Sequence, residues 1–221
     1  MVVPLTGKLI ANTGPGLAIQ EALYGFIMAM IFVNAAQVGI ISFDSNVNLA
    51  FIIFSMNFTW GIIDALVIIL VGSLERKRDI NILSKSRDND CAECESIVKD
   101  DLSGTIIDAI EPADEQKIIR QILSSRLESD EELSKDRAEL IKTGVSSFII
   151  TVIAAIPAVI PLLLIADLTS ALFVASALGS VALFFVGYTM SKYIGANRWT
   201  MAVAMTLVGW SVTIMATFMG G

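Results

Sequence analysis

Residues 48–79 read NLAFIIFSMNFTWGIIDALVIILVGSLERKRD, and this stretch decides the fold. From Leu49 to Leu74 the only ionisable side chain is Asp64, and the run closes abruptly on Glu75-Arg76-Lys77-Arg78-Asp79. About 20 apolar residues in a helix cross the ~30 Å hydrocarbon core of a bilayer. The stretch is therefore long enough to span, with a charged stop at one end, and roughly Asn48–Leu74 is assigned as a membrane helix.

Working outward, the same pattern recurs on both sides. No Lys or Arg occurs between Lys8 and Arg76, or between Lys142 and Lys192. Upstream, roughly Gly16–Ile41 is a first span, joined to the second by the turn Phe43-Asp44-Ser45-Asn46. Downstream come a third span at roughly Thr143–Ile165, a fourth at Ser170–Tyr193 after the turn Asp167-Leu168-Thr169, and a fifth from Trp199. Pro157 and Pro161, four residues apart on one face, predict a kink in the third. The chain of 221 residues is 55% hydrophobic with a mean hydropathy of +0.72, more apolar surface than a soluble domain of this size could hide.

The segment 75–142 is different in kind. It holds 12 of the 15 Lys and Arg residues and most of the acidic ones. Its apolar residues recur at helical spacing, as in Ile106, Ile107 and Ile110, then Ile118, Ile119, Ile122 and Leu123. Glu111-Pro112 suits a helix start, and Ser129-Asp130-Glu131-Glu132 reads as a capping box. Three or four short amphipathic helices are predicted, the last running into the third span. The fold class that follows is an all-α integral membrane protein: five transmembrane helices (1–74 and 143–221) with a helical insert, 75–142, between the second and third. With the N-terminus inside, every Lys and Arg falls on the cytoplasmic side, which places the insert in the cytoplasm and the C-terminus outside. No cleavable signal peptide is expected, the N-terminus lacking a basic region and short apolar run.

Several function classes are excluded. There is no basic nucleic-acid footprint, no histidine, and no nucleophile triad, phosphate loop or dinucleotide fingerprint, so an enzyme is not expected. Nothing calls for a resident cofactor. Ionisable groups inside a bilayer are costly and mark function by default, which singles out Glu21 in the first span and Asp64 in the second. Asp64 shares a helical stripe with Gly61 and Asn57, flanked by Trp60 and Met56; Glu21 shares one with Gly25 and Met28. Carboxylate, amide and thioether donors on facing helices suit a partly dehydrated divalent ion such as Fe²⁺ or Mn²⁺. The alternatives are that Glu21 snorkels to the interface, that Asp64 is structural glue between helices, and that the methionines are packing. In the insert, Glu111, Glu115, Glu128, Glu131, Glu132 and Glu139 offer carboxylates on shared faces for a divalent cation, although interleaved Lys and Arg are also what a solvated face looks like. Cys91 and Cys94 form a lone CxxC, a weak metal or redox signal that otherwise reads as an exposed loop, and one that argues against a disulfide framework.

The layout of two spans, an acidic helical insert and three further spans resembles the vacuolar iron transporter family. GVSSFIITVIAAIPAVIPLLL (144–164) looks like its third span, and SALFVASALGSVALFFVGYTMSKYIGANRWTMAVAMTLVGW (170–210) like its fourth and fifth. FTWGIIDALVIILVGSLERKRD (58–79) resembles a divergent prokaryotic branch with a Trp-Gly-x-x-Asp pattern. The resemblance implies a homodimer with an ion path between the first two spans of each subunit, and metal-binding glutamates in the insert. Two positions depart from the family: Tyr24 stands where its first-span aspartate falls, and Leu70–Gly72 is apolar where its second span carries a glutamate. Glu21 and Asp64 are then displaced replacements. The expected function is a proton-coupled Fe²⁺ or Mn²⁺ transporter moving its substrate out of the cytoplasm. The rival is a non-transporting membrane scaffold or metal sensor whose insert binds a cation or a partner.

Overall fold

A computed structural model describes residues 3–88, 92–125 and 130–219, and the described residues are helical with no strand. Five helices are long and apolar enough to cross a membrane: Pro15–Gln37, Asn46–Lys85, Leu133–Leu164, Leu168–Tyr193 and Arg198–Met219. They fall on the five apolar stretches of the sequence. The chain divides into two compact units, one made of Met1–Ile68 with Ile141–Gly221 and the other of Ile69–Leu140.

The first unit begins with a short helix, α1 (Val3–Thr13), which the sequence reading did not anticipate. Leu9 on α1 is buried, and Asn12 ties the helix to the third span: its amide donates to Ser146 Oγ at 2.9 Å, and its carbonyl accepts from Thr143 Oγ1 at 2.9 Å. Gly14, at φ +75°, breaks the chain, and Pro15 opens α2 (Pro15–Gln37), where its missing N–H costs nothing. The first span thus ends four residues before the expected Ile41. The second begins α3 (Asn46–Asp88), a single helix of 43 residues that continues well past Leu74. Gly72 and Ser73 stand just before the charges, but no Pro follows them and the charged residues themselves favour helix, so the apolar run ends but the helix does not.

The third span is broken as the prolines require. Helix α6 (Asp130–Ala154) ends at Ala155 and α7 (Ile156–Leu164) restarts with Pro157 in its first turn. Asp167 caps α8 (Leu168–Ile194) by accepting from the Ser170 N–H at 2.8 Å, and Gly195 at φ +71° closes it in the left-handed conformation. Helix α9 (Arg198–Met219) completes the unit. Helix α8 packs against α2, α7 and α9. The core is rich in alanine, with Ala29, Ala155, Ala158, Ala171 and Ala175 around Val33, Leu49 and Ile53. Small residues allow close helix approach where burial of apolar surface gives no drive between helices.

The second unit contains the later part of α3, α4 (Ala92–Leu102), a 3-10 turn (Ile106–Ala109), α5 (Pro112–Leu123) and the start of α6. Its small core is Ile82, Cys94, Val98 and Ile119. Around it run Arg76–Asp136 (2.6 Å), Arg78–Asp101 (2.7 Å), Lys99–Glu115 (3.6 Å) and Arg120–Glu95 (3.7 Å). Exposed pairs of this kind add little stability individually, so the apolar core holds the unit. Cys94 does not sit on an exposed loop: it is 2% exposed, within α4, and disulfide-bonded.

Candidate metal centre in the membrane helices

Glu21, Asn57 and Asp64 come together on α2 and α3, with α6 supplying Ser147 and Thr151. Glu21 is 3% exposed, so it does not snorkel to an interface. The Thr151 hydroxyl donates to its Oε2 at 2.8 Å. Asp64, half-buried about two turns beyond Asn57, is a close electrostatic neighbour of Glu21. Two carboxylates this close repel one another, and a cation between them relieves that repulsion. Among the described residues neither pairs with a Lys or Arg, and one hydroxyl donor does not compensate an anion whose burial costs several kcal/mol.

Asn57 is fully buried and uses both amide hydrogens on backbone, donating to Gly25 O at 3.0 Å and Thr151 O at 3.2 Å. Among the described residues its Oδ1 has no partner, and neither does the buried Ser147 Oγ. Unpaired buried oxygens are rare and call for an explanation. Asn57 stands on α3 with Asp64, and Ser147 stands on α6, one turn before the Thr151 that bonds Glu21. An oxygen-rich donor set with unused lone pairs fits a hard or intermediate divalent ion.

The three helices can meet because α2 and α3 carry glycine at the junction. A Cβ on Gly25 would stand 2.7 Å from Ala154 Cβ and 2.8 Å from Thr151 O; one on Gly61 would stand 3.0 Å from the Phe148 ring. The stripe Asn57–Gly61–Asp64 read from the sequence is thus the face that α3 turns to α2 and α6. Met28, half-buried two turns along α2 from Glu21, and Met56, 39% exposed on α3, stand outside this hydrogen-bonded cluster. Tyr24, at the family's aspartate position, is 50% exposed and turned away. Ser147 and Thr151 were missed by the sequence reading, since hydroxyls at i, i+4 recur elsewhere in the spans, at Ser55 and Thr59 and at Thr213 and Thr217.

Among the described residues of the second unit the acidic side chains are dispersed. Glu111 is exposed at the start of α5, Glu115 faces Lys99, and Glu139 is exposed on α6. Asp136 is engaged by Arg76. Glu131 and Glu132 lie in the first turn of α6; Glu128 and Cys91 lie outside the described residues. Among the described residues no three Cys, Asp or Glu side chains gather as a metal site. Cys94, as half of a disulfide, has no thiolate to offer a metal, contrary to the metal reading of the pair.

The family model described as the VIT family matches residues 75–221, the insert and the last three spans. No curated protein and no solved structure matches the chain. The matched region includes Ser147 and Thr151 and stops short of Glu21, Asn57 and Asp64, so those three are argued from geometry alone.

Proposed function

The chain belongs to the VIT family of metal-ion transporters, not enzymes, and from that premise we propose that it carries a divalent transition metal, Fe²⁺ or Mn²⁺, out of the cytoplasm in exchange for protons. The observation that carries this reading is the meeting of Glu21 and Asp64 inside the apolar spans, with the unpaired oxygens of Asn57 on α3 and Ser147 on α6. Carboxyl oxygens accept either a metal ion or protons, so metal entering and protons returning exclude one another there. One site therefore serves both ions by turns, the requirement for exchange.

The direction rests on the positive-inside rule, which puts Lys8, Lys192, Arg198 and the 75–142 segment in the cytoplasm and the Asp44 and Asp167 turns outside. The acidic segment then collects metal on the side from which it departs. A homodimer fits the weak covering of α3, whose span is 17% buried against 39% for the third and fourth.

The test is metal uptake into proteoliposomes under an opposing proton gradient. Glu21→Gln and Asp64→Asn should each abolish uptake, and an ionophore that collapses the gradient should slow the wild type. If both variants transport like wild type, the carboxyl pair is not the site. Metal binding by the intact chain with no flux would support the scaffold or sensor reading.

A further inference from the structure

The second unit carries a polar site of its own. Within the second unit, α3 and α6 touch where Leu140 packs on Gly72, and beyond that contact they enclose a cleft of about 410 Å³. Its polar lining is Ser73, Arg76 and Lys77 from α3 with Ser134, Asp136 and Arg137 from α6. Among the described lining residues three cations face one carboxylate, and that carboxylate is held by Arg76 at 2.6 Å. The described lining is thus net positive in a chain whose net charge is −7, and guanidinium, ammonium and hydroxyl donors are the set that recognises a phosphate.

Where the cleft lies decides which phosphate. The apolar run of α3 ends at Leu74, and the lining extends only to Ile80, about 9 Å further at 1.5 Å per residue. On α6 it extends from Leu140 back to Leu133, about 10 Å. The headgroup layer outside each face of the hydrocarbon core is about 5–8 Å deep. Lined this close to the end of the apolar run, the cleft opens at headgroup level and reaches little beyond it. We propose that it binds the phosphate of an anionic phospholipid of the leaflet on its own side, with Lys77 and Arg137 as the principal contacts. The proposal needs only that α3 spans the membrane and is independent of the transport reading.

The test uses the full-length protein in detergent, titrated with phosphatidylglycerol, phosphatidylcholine or inorganic phosphate, with bound ligand counted by native mass spectrometry. Phosphatidylglycerol should be retained in preference to phosphatidylcholine. A membrane-adjacent cation contributes a roughly fivefold gain in binding, so the double variant Lys77→Gln/Arg137→Gln should weaken retention about 25-fold, and Lys77→Arg/Arg137→Lys should restore it. Removing the same charge elsewhere, in Lys192→Gln/Arg198→Gln, should leave it unchanged. Equal retention of both lipids, or equal loss in the two charge-removing variants, overturns the site in favour of general surface charge. Displacement of the lipid by inorganic phosphate at similar concentration would mean a soluble phosphate ligand and overturn the lipid assignment.

Discussion

Thr151 is the residue through which the third span reaches the carboxyl pair. Its hydroxyl donates to Glu21 Oε2 and orients that carboxylate towards the site, and a hydrogen bond to a charged acceptor is worth about 1.5–3 kcal/mol. Thr151→Val, which keeps the shape, should therefore raise the metal concentration for half-maximal uptake about tenfold, while Thr151→Ser keeps it near wild type. Wild-type affinity in the valine variant would show that the hydroxyl does not serve Glu21. Gly25→Ala tests the packing instead: its methyl would enter the space of Ala154 Cβ and Thr151 O, and overpacking of this kind costs about 1–3 kcal/mol, read as a lower melting temperature of the purified protein. Glu21 and Asp64 were legible in the sequence because a carboxyl in lipid is expensive and stands out. Thr151 was not, because hydroxyls in membrane helices commonly bond back to their own i−4 carbonyl, as Thr59, Ser73, Thr206 and Thr213 do here. No local pattern separates Thr151 from those four; only its position opposite Glu21 does.

Helices in this chain begin and end for reasons that differ in how visible they are. Asp167 begins α8, and its hydrogen bonds with Ser170 hold its carboxyl below the usual aspartate range. A folded value below the unfolded one means a contribution fully present above the unfolded value, ~3.9, and lost as pH falls through the lower folded value. Comparing thermal melts of wild type and Asp167→Asn, the wild-type advantage should hold at neutral pH and shrink only in the acid range below about pH 4. An advantage that vanishes between neutrality and pH 5 would assign it to another group. The prolines of the third span and Gly195 after α8 were equally plain signals, and the breaks fall beside them. The persistence of α3 to Asp88 was not plain, since a change from apolar to charged residues marks a change of solvent and was read as the end of an element. Helix α1 escaped notice because it is eleven residues long and is split from the span that follows only by Gly14.

Within the first unit, α3 carries an apolar face that the described residues leave largely exposed. Met56, Trp60, Ile63 and Val67 recur at four, three and four residues and are 39–50% exposed, the spacing of a seam between two helices. Asp64 lies one turn from Trp60 at the margin of that seam, so a second copy packed there would close the half-buried side of the carboxyl pair and bring a second Met56 towards it. In a chain with Cys91 and Cys94 replaced by Ala, Met56→Cys and Ile63→Cys should each give an oxidised cross-linked dimer in membranes. Phe218→Cys, 73% exposed on α9, should not. If α9 cross-links and α3 does not, α3 faces lipid and the dimer axis lies elsewhere. The same arrangement makes a chemical prediction. A thioether contributes to a metal site chiefly by preferring softer ions, so Met56→Leu should leave the dimer intact yet narrow the preference for Fe²⁺ or Mn²⁺ over Mg²⁺ in uptake assays. Unchanged selectivity with an intact α3 cross-link would make Met56 packing for the seam and leave the oxygens of Glu21, Asp64 and Asn57 to choose the ion.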